Sequence, residues 1–338
     1  MTEVSLEVKQ NLAKYQFPII LDNQNLRKRL PTIDAHFSHL ENEAVSIFSQ
    51  KHLLDDRVCP VCGCLEYSLF CQKWGADYVE CSSCTHVYVK NPLKEESLLQ
   101  AYANSLSDKY DREVQESDFH REYWDRVYTK YIQLLVDLGL NLQNADVLDI
   151  GAGNGYFLKK LLHTKCRLSA AEYADDCHSS LLHITQNTGG ALYFQQPFNA
   201  SFAFDRQYDL VTMWGVLEHI YDPVLAFSQI TRLLQDTGIF LALIPNVKSA
   251  AIRLLGSNTP TLNPRGHINF FTETSLKLLC DQFSLTLLHK FPELPIIDLM
   301  HPFLDNPSQA ITNIISNDEC YYSVYIVAKS TSSFSVYQ

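Results

Sequence analysis

The 338-residue sequence contains no apolar run approaching the ~20 residues needed to span a bilayer. Its opening, MTEVSLEVKQNLAKYQ, lacks a basic stretch followed by an apolar one. A secretory leader is therefore not expected, and a reducing, cytoplasmic setting is. With 12 Gly and 13 Pro, the chain is too poor in both for a fibrous or low-complexity protein. Cations are the minority, 27 Lys+Arg against 38 Asp+Glu, for a net charge of −11. That balance argues against a nucleic-acid partner, because phosphate neutralisation needs clustered cations. What the chain has is apolar surface: 46% of residues are hydrophobic and 12% aromatic. A sizeable core follows, in two domains or in one domain with a large extension. No internal repeat is visible.

The ten cysteines are unevenly placed. Cys59, Cys62, Cys64, Cys71, Cys81 and Cys84 crowd one segment, while Cys166, Cys177, Cys280 and Cys320 are scattered. Scattered free Cys is commonly a small buried hydrophobe. A disulfide framework would be spread more evenly and would need export. Cys59-Pro-Val-Cys62-Gly63 and Cys81-Ser-Ser-Cys84 read instead as two zinc knuckles. A two-residue gap lets both thiolates converge on one tetrahedral ion, and Gly63 supplies a permissive backbone after the first turn. Four thiolates close the shell, so the expected zinc is structural and offers substrate no position. Cys64 and Cys71 are spare, and Cys64 competes with Cys62 as a ligand.

Four segments follow. Residues 1–57 form a mostly helical extension without a motif, with Phe37, Leu40, Ala44, Ile47 and Phe48 at roughly helical spacing. Residues 58–92 hold the cysteines. Residues 93–140 are a Tyr-rich helical cap or linker, with Val127, Tyr131, Leu134, Leu135 and Leu138 on one face and a stop at Gly139. From 141 to 338, strand-length apolar runs alternate with amphipathic helices. That rhythm predicts an α/β fold: a doubly wound, mostly parallel, seven-stranded, Rossmann-like sheet covered on both faces. The expected strands are 145–150, 167–172, 191–194, 209–214, 239–244, 284–290 and 321–329, with helices near 154–163, 175–187, 223–235 and 273–283. Residues 291–319 read as an irregular, Pro-rich insertion.

The most informative stretch is VLDIGAGNGYF, residues 147–157. A buried strand runs into Gly151, Gly153 and Gly155, then into a helix whose N-terminus favours negative groups. A P-loop would need Lys-Ser/Thr after the last glycine, and a dinucleotide fingerprint would need Gly at 156; Tyr156 excludes both. The pattern that remains suits a ligand without a pyrophosphate. Glu172, ending the second strand, is placed to accept both hydroxyls of an adenosine ribose. After the fourth strand, Asp222-Pro223 reads as a helix N-cap followed by proline at the first helical position. Between them, Gly215-Val-Leu-Glu218-His219-Ile-Tyr221 leaves the carboxyl end of a strand, where open α/β sheets bind ligands.

With these marks, and with YDLVTMWGVLEHIYDP, GIFLALIPN and GHINFFTETSL, residues 145–329 resemble a class I S-adenosylmethionine-dependent methyltransferase. Residues 59–102 resemble the zinc-binding leader of a bacterial branch that methylates sugars, nucleotide-linked sugars and other small metabolites. The resemblance implies that Asp149, Gly151, Gly153 and Gly155 shape the methionine end of the cofactor pocket and that Glu172 binds ribose. It also implies that Gln196 flanks adenine and that Trp214 lies against the cofactor. Glu218 and His219 match the Glu-His of sugar and quinone methyltransferases, and His267 matches a histidine on the substrate side. Quinone enzymes that use a divalent ion carry a further Glu where Gly215 stands, so no active-site ion is expected. Sugar C-methyltransferases carry a further C-terminal domain, which favours an oxygen acceptor here. Carbon or nitrogen methylation, RNA methylation and cofactor binding without catalysis are the alternatives, in that order.

A sulfonium is already a good leaving group, so alignment is the main work and an acceptor hydroxyl must lose its proton. His219 is the expected general base, His267 its competitor, and Glu218 its polarising neighbour or a substrate ligand. Tyr102 and Tyr123 are offered by the helical segment to close the pocket. The expected partner is a small-molecule substrate. Residues 1–57 and 291–319 are candidates for shaping acceptor choice or for a homo-oligomer contact.

Overall fold

The structure is a computed structural model that describes residues 12–19, 30–104, 118–293 and 307–329. In chain order, helix α1 (Leu30–Phe48) leads to three strands, β1 (Tyr67–Lys73), β2 (Ala76–Cys81) and β3 (Val87–Val89). Helices α2 (Glu95–Asn104) and α3 (Asp118–Asp137) follow. Then come β4 (Asp146–Ile150), α4 (Tyr156–Leu161), β5 (Arg167–Glu172), α5 (His178–Thr188), β6 (Leu192–Phe194) and β7 (Tyr208–Trp214). The chain continues through α6 (Pro223–Leu233), β8 (Leu234–Pro245), α7 (Ala250–Leu255), β9 (Asn269–Phe270) and α8 (Glu273–Gln282). It closes with β10 (Thr286–Glu293), α9 (Pro307–Ser316) and β11 (Tyr322–Ala328).

Seven of these strands form one sheet in the order β10-β11-β8-β7-β4-β5-β6. The five from β8 to β6 are parallel, and β11 is antiparallel to both of its neighbours. The mostly parallel seven-stranded sheet expected from the sequence is thus observed. Every residue of β4 is buried, as a strand covered on both faces requires. Along β8 the side chains alternate between two cores. Ile239, Leu241 and Leu243 join the one that includes α3 and α4, and Phe240, Ala242 and Ile244 join the one that includes α6 and α8. Strand order reverses between β4 and β7, so their carboxyl ends open a crevice there.

Asp222 caps α6 by accepting from the Leu225 amide at 2.9 Å, with Pro223 in the first turn, as its sequence predicts. Two boundaries differ from expectation. β8 begins at Leu234, directly after α6, rather than at 239. β10 runs through Pro292 to Glu293, into the stretch read as insertion, because the Glu293 carboxylate is held inside the fold. It accepts from Lys130 Nζ (2.8 Å), the Tyr131 hydroxyl (3.1 Å) and the Ile19 amide (2.6 Å). Residues 307–316 of the same stretch are helical rather than irregular.

The cysteine segment is not a separate bead. β1, β2 and β3 pair antiparallel, and β9, from the far side of the sequence, adds the fourth strand. Tyr78, Val87, Val89, Ile268 and Phe270 share a core with Ala44 and Phe48 of α1. Among the described residues, no helix is long and apolar enough to cross a membrane.

Candidate active site and thiol cluster

A cavity of ≈ 850 Å³ lies at the carboxyl ends of β4, β5 and β7. Its floor is the loop after β4. The Gly151 and Ala152 amides donate to the Ala171 carbonyl (2.8 and 3.2 Å), pinning the loop to β5. Gly151 sits at φ +69, and a Cβ there would lie 2.4 Å from Val216 Cγ2, so any larger residue would be strained and would displace Val216. Gly153 donates its amide to Glu172 Oε2 at 2.6 Å, while Glu172 Oε1 accepts from the Tyr173 and Ala174 amides at 2.7 and 2.9 Å. Glu172 therefore holds the glycine loop as well as facing the cavity. Asp149 accepts from the Thr212 hydroxyl at 2.7 Å. Burial pushes its carboxyl up to about 7, against the pull of that hydrogen bond.

Asp149, Gly151, Gly153, Glu172, Gln196 and Trp214 all line this cavity; Gly155 does not. It packs where a Cβ would meet Ile184 at 2.7 Å, so its role is to let α4 approach α5. Trp214 is wedged against Tyr128, Phe157 and Tyr131, with centroids 4.9, 5.3 and 5.9 Å away. Its buried Nε1 finds no acceptor among the described residues.

Glu218, His219 and His267 gather on another part of the wall. Leu217–His219 is a single 3₁₀ turn rather than α-helix. One side-chain nitrogen or oxygen from each of Glu218, His219 and His267 lies within 4.8 Å of the others. The His219 and His267 rings meet edge to face, centroids 4.8 Å apart. His219 Nδ1 pairs with the Gly266 carbonyl (3.0 Å) and His267 Nδ1 with the Thr261 carbonyl (2.7 Å). A carbonyl only accepts, so each Nδ1 carries the proton and each Nε2 is the basic nitrogen. Burial, and then the neighbouring His267, hold His219 well below the usual imidazole range, so it is neutral near pH 7. Burial raises Glu218 to about 8. Glu218 is 1% exposed, and its Oε2 has no hydrogen-bond partner among the described residues.

Both histidine loops are tied to the cysteine segment. Arg57 donates to the carbonyls of Val89 (3.0 Å), Tyr221 (3.2 Å) and Ile268 (2.7 Å), bridging the loops that carry His219 and His267. Asn269 bonds the Ile220 carbonyl through Nδ2 at 2.6 Å and His86 Nε2 through Oδ1 at 3.1 Å. The Ile268 amide donates to the Glu218 carbonyl at 3.0 Å. Sequence reading missed Arg57 and Asn269 because a lone Arg before a cysteine knuckle and an Asn in an apolar run carry no motif.

Beside this clamp, the sulfurs of Cys59, Cys62, Cys81 and Cys84 lie within 4.8 Å of one another. Cys59–Cys84 and Cys62–Cys81 are each 3.5 Å apart. Thiolates ~2.3 Å from a tetrahedral zinc stand ~3.8 Å apart, so the four residues fit that ion. The hydrogen bond from Cys84 favours the thiolate at Cys59. Cys64 and Cys71 stay outside the cluster, and Cys64 contacts the Glu66 carbonyl instead. α3 presents Trp124 and Tyr128 to the cavity; Tyr123 points into the core with Tyr131, and the Tyr102 side chain lies outside the described residues. Leu40 of α1 also reaches the cavity wall, a contact its helical spacing alone does not reveal.

Residues 121–290, about half of the chain, match the family of methyltransferase domains. Over 104 residues the chain is 33% identical to the tRNA U34 carboxymethyltransferase of Dichelobacter nodosus, covering 29% of this chain and 32% of that one. Over 136 residues it is 26% identical to the ubiquinone biosynthesis O-methyltransferase of Nitrosospira multiformis, covering 39% of this chain and 57% of that one. The chain thus spans only part of the length of these curated relatives. Among solved structures, the magnesium protoporphyrin IX methyltransferase of Synechocystis PCC 6803 with bound SAH superposes with a TM-score of 0.46 at 16% identity. That match covers 70% of this chain and 100% of that one.

Proposed function

We propose, from the premise that the chain belongs to the methyltransferase-domain family, that it moves the methyl group of S-adenosylmethionine to an oxygen of a small metabolite, a sugar or nucleotide-linked sugar. The observation that carries this reading is that one cavity is lined by both the Asp149–Gly153–Glu172 wall and the Glu218–His219–His267 cluster. Cofactor and acceptor would meet there without a rearrangement of the sheet. The net charge of −11 supports a small acceptor over a nucleic acid, and the O-methyltransferase among the relatives supports oxygen.

When bound, S-adenosylmethionine supplies a methyl carbon on a sulfonium that leaves as a neutral thioether. The chain's residues do the rest. Glu172 would bind the ribose, Asp149 and the glycine loop would shape the methionine end, Trp214 would lie against the cofactor and Gln196 would flank the adenine. His219, neutral and with Nε2 as its basic nitrogen, accepts the acceptor's hydroxyl proton. The four cysteines would hold a structural zinc at the back of the histidine loops.

The test is uptake of labelled methyl from S-adenosylmethionine across a panel of nucleotide sugars, free sugars and phenols. His219→Ala is expected to keep cofactor affinity and to lower turnover by ~10²–10⁴-fold, the usual contribution of a general base. Turnover unchanged in that variant would remove His219 from the role. Acceptance of RNA, with binding that weakens steeply as salt rises, would replace the acceptor class.

A further inference from the structure

We propose that Leu40, Leu98 and Leu99 are specificity-determining residues, which cover an apolar group carried by the acceptor beside the hydroxyl to be methylated. The proposal rests on reading this cavity as the meeting place of cofactor and acceptor. It narrows the sugar class to sugars that bear an apolar substituent.

Three observations carry it. First, the three leucines and Pro260 line the same cavity as the glycine loop and His267. At ≈ 850 Å³ the cavity lies toward the upper end of the ~300–1,000 Å³ usual for small-molecule sites, which leaves room for an acceptor beside a cofactor. Second, the leucines stand next to the loop that carries His267. Leu98 shares a core with Leu262 and Ile268, and Ile268 directly follows His267. Leu40 lies one turn before Ala44, a member of that core, and so on the same face of α1. Third, hydrogen bonds and an ion pair hold this wall in place. Glu43 Oε2 approaches Arg265 Nε at 3.7 Å, which ties α1 to the histidine loop. The Lys94 amide donates to the Leu53 carbonyl at 2.9 Å and Asn199 Nδ2 donates to Glu95 Oε1 at 3.1 Å, which fixes the start of α2. Lys73 Nζ donates to the Thr259 carbonyl at 2.8 Å and the Tyr78 hydroxyl to the His267 carbonyl at 3.1 Å, which fixes the loop itself.

The chemistry of the wall selects the ligand. Leucine offers no hydrogen bond, so it discriminates by the apolar area it removes from water. Leu40 and Leu98 are buried and held by packing, whereas Leu99 is half-buried and can yield to a ligand without loss of the core. Glu95 lines the cavity one turn before Leu98 and Leu99, so an acceptor lying along α2 meets polar and then apolar surface. A fully hydroxylated sugar would press hydroxyls against leucines that cannot replace their lost water. An apolar substituent has no such cost. All three leucines precede residues 121–290, the stretch that matches methyltransferase domains, whereas Asp149, Glu172 and Trp214 fall inside it. Acceptor choice and cofactor binding are thereby separable.

The experiment is calorimetry of the full chain with 1-butanol, 1-hexanol and 1-octanol, probes that carry one hydroxyl and an apolar chain and make no demand on the sugar. S-adenosylhomocysteine is titrated into the same samples. The expected result is one alkanol site per chain, with affinity rising ~4-fold for each methylene covered. Leu99→Gln should weaken 1-octanol binding at least 5-fold and flatten the dependence on chain length, while S-adenosylhomocysteine affinity changes less than 2-fold. Leu99→Met should keep the parent's behaviour. Leu40→Gln is the second variant, and near-ultraviolet circular dichroism identifies variants that keep the fold. Alkanol affinity independent of chain length, or unchanged in a folded Leu99→Gln, would overturn the apolar wall. Length-dependent, Leu99-sensitive alkanol binding without S-adenosylhomocysteine binding would uphold the wall and overturn the cofactor reading; the reverse pattern would overturn the wall alone.

Discussion

Asp149 is a buried carboxylate, 2% exposed, that accepts from the Thr212 hydroxyl. Its pKa is raised from 3.8 to about 7, chiefly by burial. The protonated form therefore favours the folded chain. The associated stability is fully present below about pH 4 and is lost as pH rises through about 7. Asp149→Asn should flatten that part of the profile and raise the Tm of the ligand-free protein at pH 8. Thermal unfolding from pH 5 to 8 checks it, and a variant that melts lower than the parent at pH 8 would contradict it. At this scale much was legible. Three glycines between a strand and a helix have few structural meanings, and Glu172, singled out at the end of the second strand, lines the same cavity as the loop. What was not legible is that Glu172 also accepts three backbone amides, and that Gly155 serves helix packing. Both depend on neighbours that only the folded chain supplies.

At the scale of elements, the histidine loops and the cysteine segment are one unit. β9 is two residues long and pairs with β3, 180 or so positions earlier in the chain. No periodicity is readable in two residues, so its role was hidden, as were β1 to β3 behind the cysteine spacing. The longer strands β4, β5 and β7 were readable because buried parallel strands are apolar runs of defined length. Arg57 makes three carbonyl bonds that fix both histidine loops. A lysine has one ammonium and no fork, so it cannot reproduce them. Arg57→Lys, or chelation of an ion bound by the thiols, should lower kcat at least 10-fold while S-adenosylmethionine affinity changes less than 3-fold. Steady-state kinetics beside calorimetry separates the two. Equal losses in both would mean that the segment supports the fold generally rather than the histidine loops.

For the whole molecule, strand order places the reversal between β4 and β7, and the fold gathers the glycine loop, Glu172, the buried Asp149 and the histidine cluster around one cavity there. The extension contributes a wall residue, Leu40, and Arg57 ties the cysteine segment to the histidine loops. The fold class was predictable because alternating strands and helices over one long stretch leave few alternatives. The way residues 30–104 wrap onto it was not, since tertiary docking leaves only an apolar helical face in the sequence. The central claim is that the β4 loop and Glu172 seat S-adenosylmethionine. Titrating the full chain with it in a calorimeter is the most direct test. The account predicts one site per chain, weakened ~10–100-fold by Glu172→Gln, because one carboxylate oxygen becomes an amide donor facing backbone N–H groups. No heat of binding from folded protein, or an affinity indifferent to Glu172→Gln, would contradict it.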